Sequence, residues 1–192
     1  MKQKISWPAV IAPIAALLAL SACATSPSPP ALADFEAALA TDDSASVALG
    51  KWCAKYKLGS PATIRALPVI GGEIAPSKEV LVKLDLRSGD PLDYRHVRLT
   101  CGDTVLSEAR NWYAPGRLTD DMNRRLASGT EPFGVVVAPL GFTRERRASG
   151  HGPSNFCPQG TVLSHGALLR LPDGRPLAVL TECYTAANLG GQ

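Results

Sequence analysis

Two strand-like segments of the chain each carry one charged residue among apolar neighbours. Arg95 stands in the segment Tyr94–Leu99, and Glu182 stands between Leu180 and Tyr184. A planar guanidinium binds a carboxylate through two parallel hydrogen bonds, which makes Arg95 a candidate anchor for a small organic acid. A buried glutamate could accept or donate a proton at a ligand ring, which makes Glu182 a candidate acid or base. The alternative is an Arg–Glu ion pair that bridges strands and needs no ligand.

The common catalytic signatures do not occur in the sequence. It has no Gly-x-Ser-x-Gly elbow, no Gly-rich phosphate loop and no His-Glu-x-x-His helix. The three histidines (His96, His151 and His165) are scattered, and each is more typical of a surface or strand position than of a ligand set. Because no Cys-x-x-Cys or closely spaced Cys/His set is present, we expect neither a metal site nor a cofactor.

The charge pattern argues against a nucleic-acid partner. The formal net charge is only +3, whereas a nucleic-acid binder normally carries a concentrated basic face. The densest basic cluster, Arg144, Arg146 and Arg147, encloses Glu145. We interpret this cluster as a solvated turn or helix end, with an anion-contacting loop as the alternative. We expect a monomer.

The pattern of apolar and turn residues predicts an α+β fold. Gly102-Asp103 and Pro172–Arg175 are hairpin turns, and Thr119 is a helix N-cap. The hairpins and helices together indicate an antiparallel sheet of about six strands with helices packed on it. The predicted strands are 79–86, 94–101, 105–113, 162–171 and 176–184, with a strand or turn at 63–67, helices at 32–48 and 120–127, and a polar loop reaching residue 160.

Several short segments occur in an order that resembles the chorismate lyase family. The same Arg-hairpin-Arg and Pro-x-Gly segments also resemble the effector-binding domains of some bacterial transcription regulators. The likeness covers about residues 58–186 and is carried by Tyr94-Arg95-His96-Val97-Arg98-Leu99, Ala109-Arg110, Pro132-Phe133-Gly134, Phe142-Thr143-Arg144 and Leu180-Thr181-Glu182.

The resemblance implies a ligand site. In that family the match to Arg95 binds the ligand carboxylate, and the backbone of the match to Phe133 assists it. The match to Glu182 faces the ring oxygen and is the catalytic residue, while Arg110 matches a further ligand-binding arginine. From the residues themselves, the alternative for Arg110 is an ion pair on the sheet surface. The implied activity is a carbon–oxygen lyase that converts chorismate to 4-hydroxybenzoate and pyruvate, with a small aromatic carboxylate as partner. The family's pocket lid is poorly matched, at residues 60–65 alone.

The first 22 residues have the order of a secretory signal peptide. Two lysines precede the apolar run Val10–Leu20, and Ser21-Ala22 leads to a cysteine. Leu20-Ser21-Ala22-Cys23 resembles the lipobox of bacterial lipoproteins, which implies that Cys23 is acylated, with palmitate among the acyl groups. An ordinary cleaved signal is the alternative.

The lipobox resemblance also predicts a location and a domain order. Ala24 stands where an aspartate would favour the inner membrane, so we expect a lipid anchor in the outer membrane with the protein facing the periplasm. Residues 23–31 form a proline-rich tether, and residues 32–192 form a single domain. Roughly 170 residues after the signal are enough for one hydrophobic core.

Four further cysteines are compatible with two disulfides. They are Cys53, Cys101, Cys157 and Cys183. Three connectivities exist for four cysteines, and the sequence does not choose among them. Buried free thiols are the alternative.

Three functional hypotheses remain on the sequence. The first is a lyase-like enzyme that acts on a small carboxylic acid. The second is a non-catalytic lipoprotein that uses the same pocket to hold an aromatic carboxylate or an envelope partner. The third is a structural envelope protein in which Arg95 and Glu182 are paired or solvated.

Overall fold

Six strands form one antiparallel sheet in the computed structural model, which describes residues 29–87 and 89–191. Their spatial order is β1-β2-β3-β6-β5-β4. This confirms the predicted α+β fold with an antiparallel sheet of six strands. The strands are β1 (Ile64–Pro68), β2 (Asp93–Cys101), β3 (Thr104–Tyr113), β4 (Thr143–His151), β5 (Thr161–Arg170) and β6 (Pro176–Thr185).

In the described part of the chain, five α-helices accompany the sheet. Serine or threonine caps three of them, and Thr119 accepts a hydrogen bond from the amide of Met122 (3.2 Å), as its sequence context predicts. The other two caps are Ser44 and Ser77. The helices are α1 (Leu32–Leu39), α2 (Ala45–Tyr56), α3 (Lys78–Lys83), α4 (Asp120–Ala127) and α5 (Phe133–Val136).

The sheet has two differently covered faces. Strand register places Arg95 opposite Asn111, and Ala109 opposite Glu182, so these four side chains share the face that we call the first face. Helices α1, α2, α4 and α5 cover the first face through two buried clusters, with Phe35 and Trp52 in one and Phe133 in the other. Helix α3 packs on the second face against Trp112.

Two predictions of secondary structure were wrong. Residues 79–86 were expected as a strand, but most of α3 lies there. Its buried residue Val80 stands four positions before the buried C-cap residue Leu84, as one face of a helix requires. The segment 143–151 was expected within a polar loop but forms β4. It is an edge strand with mostly exposed charged side chains, a common protection for sheet edges, and this hides its strand pattern.

Two disulfides join separate elements. Cys53 of α2 bonds to Cys101 at the end of β2. Cys157, in the segment 152–160 between β4 and β5, bonds to Cys183 of β6. The structure therefore has one of the three connectivities that the sequence left open.

The predicted signal peptide (1–22), Cys23 and most of the tether lie outside the described residues. Among the residues that are described, no helix has the length and apolar character that crossing a membrane requires.

We predict that Gly59→Ala destabilises the fold. The backbone at Gly59 lies against the end of β2, and an added Cβ would stand 1.9 Å from the carbonyl oxygen of Cys101. Because that obstacle is backbone, we expect a loss of about 2–3 kcal/mol in the free energy of unfolding, measured by urea denaturation. Gly116→Ala is the control, since an added Cβ there meets nothing within 4 Å. Equal stability of the two variants would contradict the prediction.

Candidate functional site

Arg95 lies on the first face of the sheet and is 8% exposed. Its Nη2 donates hydrogen bonds to the carbonyl oxygens of Glu131 (3.1 Å) and Gly129 (3.4 Å). Its Nη1 is buried and has no hydrogen-bond partner among the described residues, and none of their carboxylates forms an ion pair with it. Burial lowers the pKa of Arg95, and the neighbouring Tyr113 and Glu131 act in the opposite direction. The guanidinium is therefore a buried cation without a matching anion.

An open groove of about 340 Å³ borders Arg95. Strands β2 and β3 supply Asp93, Arg95, His96 and Tyr113, and α4 with the turn after it supplies the opposite wall. Burial and the Asp93 carboxylate raise the pKa of Tyr113 to about 12, so its hydroxyl remains a hydrogen-bond donor at neutral pH. The groove thus offers a cation, a phenol and apolar surface from Leu126, and the Asp93 and Glu73 carboxylates also line it.

Glu182 lies on the same face and makes a buried ion pair with Arg144 of β4. The two side chains are 4% (Arg144) and 7% (Glu182) exposed. Both guanidinium Nη atoms donate to the carboxylate, and the Tyr184 hydroxyl donates to Oε2 at 2.9 Å. An Arg–Glu pair that bridges strands is therefore present, but its arginine is Arg144 and not Arg95.

The groups around this pair have shifted pKa values. Burial acts to lower the pKa of Arg144, but the Glu182 carboxylate and Tyr184 outweigh it, and the net shift is upward. Burial and the charge of Glu182 raise the pKa of Tyr184. Burial lowers the pKa of His165, the cross-strand neighbour of Glu182, and Arg144 adds to that shift while Glu182 opposes it. Near neutral pH, His165 is therefore uncharged.

A small cavity of about 20 Å³ separates the sheet from α2 and α5. That volume holds about one water molecule. Asn111 lines the cavity at 3% exposure, and its Oδ1 has no hydrogen-bond partner in the described part of the chain. Arg144 and Glu182 line it together with Phe133, the first residue of α5. A benzoate-sized molecule enters only if α2 or α5 moves outward.

The structure brings three of the four residues selected by family resemblance to one face. Arg95 and Glu182 stand two strands apart, roughly 10 Å across the sheet. Phe133, the first residue of α5, packs its side chain onto the same face. Arg110 does not join them, because strand alternation places its side chain on the second face. There it donates to Glu108 (3.2 Å) and to the carbonyl oxygen of Phe156.

Sequence reasoning missed Arg144 and Asn111 as site residues. Arg144 was interpreted as part of a solvated basic cluster, because the strand that buries it was not recognised. That Arg144 stands at the start of an edge strand, two residues after the buried Phe142, becomes clear only once the β4–β5 pairing is known. Asn111 gave no signal of its own in the sequence.

The fold is that of the chorismate-lyase-like ligand-binding domains of GntR-family transcriptional regulators. Whole PhnF from Mycobacterium smegmatis matches with a TM-score of 0.52 and 9% identity, over 66% of this chain and 60% of that chain. The effector domain of PhnF matches with a TM-score of 0.51 and 9% identity, over 64% of this chain and 81% of that one. At such low identity the likeness concerns the fold alone.

A sequence relative gives the family. The chain belongs to the family of the uncharacterized protein y4mC of Sinorhizobium fredii (strain NBRC 101917 / NGR234), to which it is 35% identical over 175 residues. The match covers 80% of this chain and 73% of the relative. No family model matches the sequence.

These comparisons contradict the predicted location. The structural neighbours, PhnF from Mycobacterium smegmatis among them, are cytoplasmic GntR-family transcriptional regulators. On this finding the prediction of a lipid-anchored outer-membrane protein is wrong. The signal and Cys23, on which that prediction rested, lie outside the described residues.

We predict strong energetic coupling between Arg144 and Glu182. Arg144→Leu or Glu182→Leu alone leaves the partner charge buried and unmatched, so each should lower the free energy of unfolding by about 3–5 kcal/mol. The double variant removes both charges and should lose much less than the sum of the two. Urea denaturation of all four proteins measures this coupling. Additive losses would show that the pair is not coupled. The control is Arg124→Leu, which breaks the exposed ion pair between Arg124 and Asp121.

We predict that His165 makes the free energy of unfolding depend on pH below 6.5, which is the ordinary pKa of a histidine side chain. Since its pKa is lowered in the folded protein, the unfolded chain binds a proton first, and stability falls as pH drops from 6.5. His165→Phe keeps a ring against Tyr184 and should remove that part of the slope. Urea denaturation between pH 7.5 and 5 compares the two proteins. Parallel curves would contradict the prediction.

Proposed function

We propose that this protein binds a small aromatic or cyclic carboxylic acid through Arg95. One observation carries the proposal: Arg95 is a buried guanidinium that makes no ion pair within the described residues. A buried charge without a partner is costly, and a bound carboxylate would supply the missing anion. Two carbonyl oxygens already hold one side of the guanidinium and leave Nη1 for the ligand.

The surroundings of Arg95 support an acid that contains a ring. The adjoining groove of about 340 Å³ is within the size range of small-molecule pockets. Tyr113 contributes an aromatic ring to the lining of this groove, and that ring packs at 5.2 Å from the ring of Phe133. The descriptions of the structural neighbours as effector and ligand-binding domains also favour a small-molecule ligand.

We propose binding without turnover. In the lyase hypothesis, Glu182 exchanges a proton at the ligand ring. In this structure the Glu182 carboxylate is held by Arg144 and Tyr184, so that role would require the ion pair to break first. The cavity beside Glu182 is also too small for a ring while α2 and α5 stay in place.

Calorimetric titration of the purified protein with 4-hydroxybenzoate tests the proposal. Arg95→Gln should weaken binding about 10–100-fold, because it removes the charge-assisted hydrogen bond that Nη1 would donate to the ligand carboxylate. Its melting temperature should not fall, since the substitution also removes an unmatched buried charge. Arg65→Gln, on the neighbouring strand β1, is the matched control and should bind as the unaltered protein does.

Two outcomes would contradict the proposal. If 4-hydroxybenzoate does not bind, or binds equally to the Arg95→Gln variant, Arg95 is not a carboxylate anchor. If incubation with chorismate yields 4-hydroxybenzoate, the protein is a lyase and binding without turnover is wrong.

A further inference from the structure

A second pocket, of about 170 Å³, lies on the second face of the sheet. Trp112, Val179 and Thr181 of the central strands form its floor. Ile74 and Val80, from the segment around α3, stand on one side. Phe156, from the segment 152–160, contributes to the other side. The pocket is on the opposite side of the sheet from Arg95 and is independent of the proposed acid site.

The walls of this pocket expose large apolar side chains. Phe156 is 53% exposed and Ile74 is 37% exposed, although most large apolar side chains of the described chain are buried. An apolar cavity of about 150 Å³ is known to accept benzene in another protein. The pocket therefore has the volume and the lining for one aromatic ring, whose binding would remove the Phe156 and Ile74 side chains from water.

Trp112 adds a polar requirement to the pocket. The residue is 6% exposed, and its Nε1 is buried with no hydrogen-bond partner in the described part of the protein. Trp52 shows the usual arrangement, because its Nε1 donates to the carbonyl oxygen of Asn188 at 3.0 Å. A buried donor without an acceptor is unfavourable, so a ligand that brings one acceptor oxygen would be preferred over a purely apolar one.

Covalent and polar contacts fix the outer wall. The disulfide between Cys157 and Cys183 ties the segment that carries Phe156 to β6. The carbonyl oxygen of Phe156 also accepts a hydrogen bond from Nη1 of Arg110. These contacts hold the backbone of Phe156 beside β6, so its side chain forms one wall of the gap next to Trp112.

We infer that this pocket is a binding site for a small molecule with one aromatic ring and one hydrogen-bond acceptor. The ring occupies the space between Phe156 and the α3 segment, and the acceptor oxygen bonds to Nε1 of Trp112. The site differs from the Arg95 groove in its chemistry, since the two charged residues that line it, Glu79 and Lys83, pair with each other at 2.8 Å and leave no buried cation unmatched.

Titration of the ¹⁵N-labelled protein with acetophenone tests the inference. The ketone has one ring and one acceptor oxygen. We expect the indole N–H resonance of Trp112, assigned with Trp112→Phe, to move downfield and saturate with a Kd below about 1 mM. The Trp52 indole resonance is the internal control and should not move, since its donor is already bonded. Ethylbenzene, which lacks the acceptor, should bind at least about 3-fold more weakly.

A matched pair of variants locates the site. Ala75→Phe fills the pocket from the α3 side and should weaken acetophenone binding more than 10-fold. Ala54→Phe, at an exposed position of α2, should have no effect. Arg95→Gln should also leave the response unchanged. The inference is overturned if the Trp112 resonance does not move, if Ala75→Phe responds like the unaltered protein, or if ethylbenzene binds as tightly as acetophenone.

Discussion

The pairing of β3 with β6 is the contact on which the rest of the structure depends. The β2–β3 hairpin and the β4–β5–β6 meander each form between neighbouring stretches of chain, and β3–β6 is the single pairing that joins them. Its register places Ala109 opposite Glu182 and Asn111 opposite Leu180. Because side chains alternate across a sheet, that register decides which residues of the two halves share a face.

The first face combines charges that would otherwise be far apart along the chain. Arg144 is neutralised by Glu182, and the two are buried together at the β4 side of the sheet. Arg95, on β2, has no such partner among the described residues. The contrast between one matched and one unmatched arginine separates a structural ion pair from a candidate anion site. Glu182, which the resemblance to chorismate lyases suggested as a proton-transfer residue, is on the matched side of this contrast.

The second face has a different construction. Around Glu108 it carries a polar network of His96, Arg98 and Arg110, and beside that network α3 packs on Trp112. Arg110 links the network to the disulfide-bonded segment through the carbonyl oxygen of Phe156. The polar network therefore contacts the backbone of the segment whose Phe156 side chain lines the pocket. One sheet can thus serve two chemically different pockets, because its faces are covered by different parts of the chain.

The sequence by itself determined those structural features that depend on residues close together along the chain. Turn chemistry at Gly102 and Gly174, both with positive φ, and the cap at Thr119 were enough to predict two hairpins, one helix and the α+β class. Local pattern failed at α3, where a short apolar run fits either period, and at the charged edge strand β4. Long-range pairing alone decided the rest: that Arg95 and Glu182 share a face, that Arg110 does not, that Arg144 is buried, and which cysteines bond. These follow from strand register, which is set by contacts between distant residues and leaves no local signal in the chain.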